Sequence, residues 1–176
     1  MGGVRGRAWK FGDDINTDMI VAGKYLAGRI EDAMMHSLEA VNPDFAKSVR
    51  AGDVVVGGRN FGCGSAREAA PAVLKALGVG VVVAESFARI FFRNAIAVGL
   101  GVLSCPGIGE CVEEGDVLDV DLERARIVNV RLGKEVRGQP LADEMLTIIK
   151  KGGLAELIIA EYGQEAGVAA ESRGSE

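Results

Sequence analysis

The stretch GGRNFGCGSAREAAP, Gly57 to Pro71, follows an apolar run, Asp53 to Val56, and leads into a helical pattern that opens near Ser65. Its glycines, Gly57, Gly58, Gly62 and Gly64, let the backbone turn sharply and come close to a ligand, because glycine has no Cβ to clash. Helix N-termini carry unpaired N–H groups and a partial positive charge, where anions settle. With Ser65 and Arg67 following the glycines, the stretch reads as a small-anion site. The same residues also fit a plain strand, turn and capped helix, with Ser65 as N-cap and Glu68 closing a capping box.

Upstream, Arg7 to Phe11 reads as a first strand and GDDINTDMI as turns, because its acidic and Asx-type residues favour them. Gly23 to Arg29 reads as an exposed loop. Met34, Met35, Leu38 and Val41 then have helical spacing, which Pro43 ends. Downstream, the spacing predicts a helix from Ser65 to Leu77, stopped by Gly78. Pro71 inside it signals either a kink or a later start. Val79 to Ala84 and Leu100 to Ser104 read as buried strands, with a helix from Ser86 to Val98 between them. Val117–Asp121 and Arg126–Val130 alternate apolar and polar residues, as an antiparallel pair does. A helix over Leu141 to Lys151 stops at Gly152, and a shorter one covers Leu154 to Tyr162. The order implies an α/β fold whose partly parallel mixed sheet carries an added antiparallel hairpin. Residues 1–162 are expected to form one domain. The small, polar tail, residues 163–176, is expected to be disordered.

The 176 residues suit one domain with a sizeable core. A net charge of −5 and only 5% aromatic residues give no drive toward nucleic acid. No stretch is apolar for long enough to span a membrane. The start, MGGVRGRAWK, lacks the apolar core of a signal peptide, so a cytoplasmic location is expected. Cys63, Cys105 and Cys111 are widely spaced, form no CxxC pair and have a single histidine, His36, for company. A zinc or iron–sulfur site within the chain is therefore not expected, and free thiols fit a reducing compartment.

Nucleotide binding fits poorly. The glycine stretch has no lysine for a Walker loop, and Arg67 stands where a dinucleotide fingerprint needs its third glycine. A carboxylate fits better, since Arg67 can hold one through two parallel hydrogen bonds and neighbouring loop N–H groups can take another oxygen. Ser65 would lie close to both. Its hydroxyl ionises far above neutral pH, and each unit of pKa shift needs about 1.4 kcal/mol. A helix end supplies at most about 2 kcal/mol. With no Ser–His–Asp set in the chain, this looks like half of an active site.

RNFGCGSARE followed by AAP, then ESFARIFFRNAI, with WKFGDDINTD near the start, resembles the small subunit of 3-isopropylmalate dehydratase and homoaconitase. That subunit is similar to the swivelling domain of aconitase. The resemblance runs from about Ala8 to beyond Leu103, and the remainder matches in layout only. It implies a swivelling β/β/α three-layer fold and a hydro-lyase subunit that dehydrates and rehydrates a hydroxy di- or tricarboxylate, active only with a large subunit. It also implies that no cofactor sits in this chain and that the large subunit carries a 4Fe–4S cluster. By the resemblance, Ser65 is the base and Arg67 binds a substrate carboxylate beside Gly64 and Ala66. The loop Tyr25–Leu26–Ala27–Gly28–Arg29 chooses among substrates.

Two departures stand out. The family usually reads GSSREH or GSSREQ, and here Ala66 and Ala69 replace the second serine and the final residue. The loop YLAGR matches neither the isopropylmalate nor the homoaconitase form, and Arg29 could be a second cation for the substrate or a solvated loop residue. Methylmalate and dimethylmalate therefore stay open as substrates. A non-catalytic carboxylate- or phosphate-binding module on the same fold is the other alternative. Cys63, Phe87, Phe91 and Phe92 read as packing, and Arg89 and Asn94 as braces for the site or a subunit interface.

Overall fold

The architecture comes from a computed structural model, which describes residues 3–171. Strand β1, Val4–Lys10, is followed by helix α1, Thr17–Ile20, and a short 3-10 turn, Gly23–Tyr25. Helices α2, Ile30–Met34, and α3, Phe45–Ser48, precede β2, Val54–Gly57. Then come α4, Ala69–Ala76, β3, Val81–Ala84, α5, Arg89–Ala97, β4, Gly101–Ser104, and α6, Ile108–Cys111. Strands β5, Val117–Asp121, β6, Arg126–Asn129, and β7, Lys134–Arg137, lead to α7, Asp143–Lys151, and α8, Leu154–Glu171.

The seven strands form one mixed sheet in the order β4-β3-β2-β1-β5-β6-β7. Strand β1 belongs to both halves. Its end, Ala8 to Lys10, pairs parallel with Val54 to Val56, while its start, Val4 to Arg7, pairs antiparallel with Val117 to Val120. Strands β2 and β3 read VVVG and VVVA and are buried at every position, as β-branched strands covered on both faces are. The crossovers through α4 and α5 make β2, β3 and β4 parallel. Past β7, the Gln139 N–H donates to the Ser104 carbonyl at 2.7 Å, so the chain beyond one sheet edge returns to the strand at the other. This is the α/β fold with partly parallel mixed sheet and added antiparallel part that the pattern implied, with β7 as an unforeseen third antiparallel strand.

Several boundaries differ from the sequence reading. Helix α4 starts at Ala69 after an N-cap at Glu68 that makes no side-chain cap bond, so the capping box of Ser65 and Glu68 does not form. Pro71 thereby falls in the first turn, where N–H groups have no intrahelical acceptor, and its missing N–H costs nothing. Helix α5 starts after Ala88 rather than Ser86. The Ser86 hydroxyl instead accepts the Asn60 N–H at 2.9 Å. The helical spacing through Val41 yields only α2, because Leu38 has φ +56° and is fully buried, its N–H donating to the Ile20 carbonyl at 3.1 Å. In GDDINTDMI, the Asn16 side chain caps α1 by accepting the Met19 N–H at 2.8 Å. Helix α8 continues to Glu171, past the Tyr162 boundary and into the stretch expected to be disordered, where alanine and glutamate favour helix. Residues 172–176 of that tail lie outside the described residues.

The antiparallel half is fastened by Asp116. Its buried carboxylate accepts from Arg131 Nε at 2.5 Å, Arg131 Nη2 at 3.1 Å, Asn129 Nδ2 at 2.6 Å and the Glu113 N–H at 2.9 Å. The hydrogen-bonded Arg131 guanidinium, aided by the Glu113 and Asn129 donors, holds the carboxyl well below the usual carboxylate range. A depressed folded-state pKa gives stability that is present above the unfolded value near 4 and lost as pH falls toward the folded one. Asp116→Asn is expected to cost about 2–3 kcal/mol at pH 7, the range for hydrogen bonds to a charged group. Urea unfolding at pH 7 and at pH 3 checks this: the gap between wild type and variant narrows at the lower pH.

Candidate active site

The loops that follow β1, β2 and β3 meet beyond the carboxyl ends of those strands, where open α/β sheets bind ligands. The loop after β2 lies in the middle and is bonded on both sides. Toward the loop after β1, Gly58 N–H donates to the Gly12 carbonyl at 3.0 Å, Asp14 N–H to Arg59 at 2.8 Å, Gly62 N–H to Ile15 at 2.7 Å and Thr17 N–H to Cys63 at 2.8 Å. Toward the loop after β3, Phe61 N–H donates to the Ser86 carbonyl at 3.0 Å and Ala88 N–H to Phe61 at 2.9 Å. Arg59 pairs with Asp13 through Nη2 at 2.8 Å, and the Arg59 N–H and guanidinium together lower the Asp13 pKa.

Gly62 and Gly64 have φ +79° and +96°, which an L side chain rarely adopts. Between that turn and α4 the chain is exposed at Gly64, Ser65 and Ala66. Among the described residues, the N–H groups of these three have no intramolecular acceptor, and the Ser65 hydroxyl makes no hydrogen bond. The Ser65 carbonyl accepts the Thr17 hydroxyl at 3.0 Å and the Arg67 N–H at 2.7 Å. Ser65 is thus a free hydroxyl beside three N–H donors that no group among the described residues accepts. It does not cap the helix.

Arg67 precedes α4 instead of lying on its first turn. Its side chain is three-quarters buried, and the guanidinium reaches back to the loop after β1. Nη1 donates to the Val21 carbonyl at 3.1 Å and pairs with Asp18 Oδ1 at 2.5 Å. A Cβ at Gly23 would lie 3.3 Å from Nη2, a tight contact that places the guanidinium directly against this turn. Nε and Nη2 have no hydrogen-bond partner among the described residues.

On the other side of Ser65 is an open concavity lined by Gly62, Gly64, Ser65, Ile90, Arg89 and Arg93. The two arginines stand one turn apart on α5, exposed and without an ion pair among the described residues. Arg93 was not singled out from sequence, although its spacing from Arg89 marks one helix face. Asp18 and Thr17 were also missed, inside a stretch read as turns. Phe91 is buried against Phe61 with ring centroids 5.4 Å apart, and Phe87 packs on both, as core residues do. Cys63 is half-buried, and its backbone does the bridging described above.

The loop Tyr25–Arg29 adjoins Arg67 through the Gly23–Tyr25 turn. Tyr25 and Leu26 are half-buried, whereas Ala27, Gly28 and Arg29 are exposed. Arg29 Nε is 3.2 Å from Glu31 Oε2 and does not point into the concavity of Ser65. Among the described residues, no group of three or more His, Cys, Asp and Glu side chains could hold a metal ion. Among the described residues, no helix is long and apolar enough to cross a membrane.

Comparison with known proteins agrees with this layout. The family model for the aconitase C-terminal domain matches residues 18–106. The 3-isopropylmalate dehydratase small subunit 1 of Methanopyrus kandleri is 49% identical over 159 residues, 90% of this chain and 94% of that one. The methanogen homoaconitase small subunit of Methanothermobacter thermautotrophicus is 47% identical over 152 residues, 86% of this chain and 88% of that one. The crystal structure of a 3-isopropylmalate dehydratase from Methanocaldococcus jannaschii superimposes with a TM-score of 0.84 at 35% identity, covering 97% of this chain and 99% of that one. With glycine turn, serine and arginine set on this sheet, the chain belongs to the aconitase C-terminal domain family and is a small subunit of the 3-isopropylmalate dehydratase and homoaconitase type.

Proposed function

We propose that the chain supplies Ser65 as proton-abstracting base and Arg67 as carboxylate clamp to a site completed by a large subunit. The reaction is dehydration and rehydration of a hydroxy di- or tricarboxylate of the 3-isopropylmalate or homoaconitate type. The observation that carries this reading is the unbonded Ser65 hydroxyl beside the free N–H groups of Gly64, Ser65 and Ala66. A hydroxyl so placed can take a proton from carbon while the N–H groups and Arg67 hold the adjoining carboxylate. Ala66 lacks the hydroxyl that many relatives carry by the resemblance, but its N–H stays available. Arg89 and Arg93 are the cations on the other side of Ser65 for a second carboxylate, a better placement than that of Arg29.

The residues of this chain do not fit a 4Fe–4S cluster, since Cys63, Cys105 and Cys111 are not gathered in one place. In this reading the cluster belongs to the large subunit, where it supplies Lewis-acid chemistry at the leaving hydroxyl. This chain contributes binding, orientation and the proton. The names of the relatives do not separate isopropylmalate from homoaconitate chemistry, nor from the citramalate named for another relative, 49% identical, in Methanocaldococcus jannaschii.

The isolated chain is expected to be inactive and to gain turnover with a cluster-bearing large subunit. Assay of the complex on a panel of hydroxy dicarboxylates checks this, and turnover by the metal-free chain alone would overturn it. In the complex, Ser65→Ala is expected to lower kcat about a hundred- to ten-thousand-fold, the usual reach of general base catalysis. Its unfolding free energy should stay within about 0.5 kcal/mol, as for exposed residues without structural bonds. Arg67→Lys keeps the charge but loses the planar fork. It should raise KM about ten- to a hundredfold, which steady-state kinetics reads directly.

A further inference from the structure

The lone histidine is not a solitary surface residue. Its imidazole stacks on the Tyr25 ring with centroids 3.8 Å apart and planes 3° from parallel. Tyr25 Oη donates to Glu39 Oε1 at 2.8 Å, and His36 Nδ1 lies 2.8 Å from Glu39 Oε2. A carboxylate only accepts, so Nδ1 carries a hydrogen here. Both donors lower the Glu39 pKa, His36 first and Tyr25 second, which keeps the acceptor ionised. The Lys24 ammonium stands over the Tyr25 ring, with Nζ 4.6 Å from its centroid.

The segment that presents His36 and Glu39 carries one uncommon backbone conformation and one unbonded buried hydroxyl. Leu38 holds a left-handed conformation, φ +56°, that suits glycine and is uncommon for leucine. Ser37 is fully buried, and its hydroxyl has no hydrogen-bond partner. Burial of Leu38 and its bond to the Ile20 carbonyl keep the segment in place. A local deviation that the surroundings hold fixed points to a function for what it aims. Here it aims Glu39 and His36 at Tyr25, the first residue of the Tyr25–Arg29 loop, while the same 3-10 turn abuts Arg67 at Gly23.

We infer that His36 and Glu39 are positioning residues that hold Tyr25 and thereby set the place of the Tyr25–Arg29 loop relative to Arg67, and with it the substrate preference. The inference rests on the reading of that loop as the part that selects among hydroxy acids. Neither residue touches substrate. The carboxylate bridges ring hydroxyl and imidazole, so loss of Glu39 frees both, whereas phenylalanine at position 36 keeps the stack and loses only one bond.

Two measurements on Glu39→Ala, His36→Phe and His36→Ala test this. In the free chain, hydrogen exchange at the Tyr25 and Leu26 amides, bonded to Ala22 and Gly23 carbonyls, should speed up about three- to tenfold in Glu39→Ala. Amides of β2 and β3 should keep wild-type rates. In the reconstituted complex, the ratio of kcat/KM for two hydroxy dicarboxylates differing in one substituent should shift by a similar about three- to tenfold factor. That shift should come through KM, with kcat for the better acid within about twofold, and His36→Phe should retain more of the wild-type ratio than His36→Ala. Unchanged exchange at Tyr25 and Leu26 overturns the inference. So does faster exchange with an unchanged ratio, or a fall in kcat alone. A wild-type complex that turns over no hydroxy acid overturns the hydro-lyase reading and the link to substrate preference, whatever the exchange rates show.

Discussion

The site depends on one close approach. At Gly62 the backbone passes so near the Phe91 ring that a Cβ would lie 2.1 Å from its Cγ. No side chain fits there, and φ +79° adds a second reason for glycine. The approach lets the loop after β2 lie flat on α5 while Phe61 enters the core under it, fully buried and edge-on to Phe91. From that seat the chain must rise again through Gly64, and the next residues stand clear of the surface with their N–H groups free. The exposed serine is therefore a consequence of buried packing one turn earlier.

The electrostatics bear on the proposal that a second surface completes this site. Ser65 would need several units of pKa shift to act as a base, at about 1.4 kcal/mol each. The helix that follows begins only at Ala69, so its dipole, at most about 2 kcal/mol at the helix end itself, acts from a distance. Arg67 is already partly neutralised by Asp18. His36 faces Tyr25 and Glu39 and leaves Ser65 without an imidazole partner. What the chain does offer is orientation: a fixed backbone, three donors and a guanidinium with two nitrogens left over. In the proposed function the remaining stabilisation comes from a second surface and from the substrate itself.

The sequence showed the sheet well where strands were uniformly apolar and β-branched, as in β2 and β3. It showed the glycine turn, whereas Ser65 and Arg67 beyond it fitted a capped helix as well as an anion site. It failed where a side chain had two competing partners. Ser86 and Ser65 both look like helix caps, yet one bonds Asn60 across a loop and the other bonds nothing. Leu38 kept a helical spacing but turned left-handed, because burial against Ile20 outweighed local helix preference. β7, KEVR, is too polar and too short to register as a strand, and only its pairing with β6 makes it one. Asp18 could not be linked to Arg67 at all, since forty-odd residues and two loops separate them in the chain.

Uncommon backbone conformations outside glycine occur at Asp14, Leu38, Asn60 and Ala125. Ala125 sits in the turn between β5 and β6, where a left-handed residue is ordinary hairpin geometry. Asp14 and Asn60 face each other across the two loops, and Asn60 Nδ2 donates to Asp14 Oδ1 at 2.8 Å. Each loop thus holds the other in a conformation it would not keep alone, and neither can relax without releasing its partner. Loops coupled in this way open together or not at all, which raises the cost of local unfolding above that of either loop alone. In the proposed function, where a second surface completes the site, the donors are already in place when that surface arrives, so little ordering entropy is left for the encounter to supply.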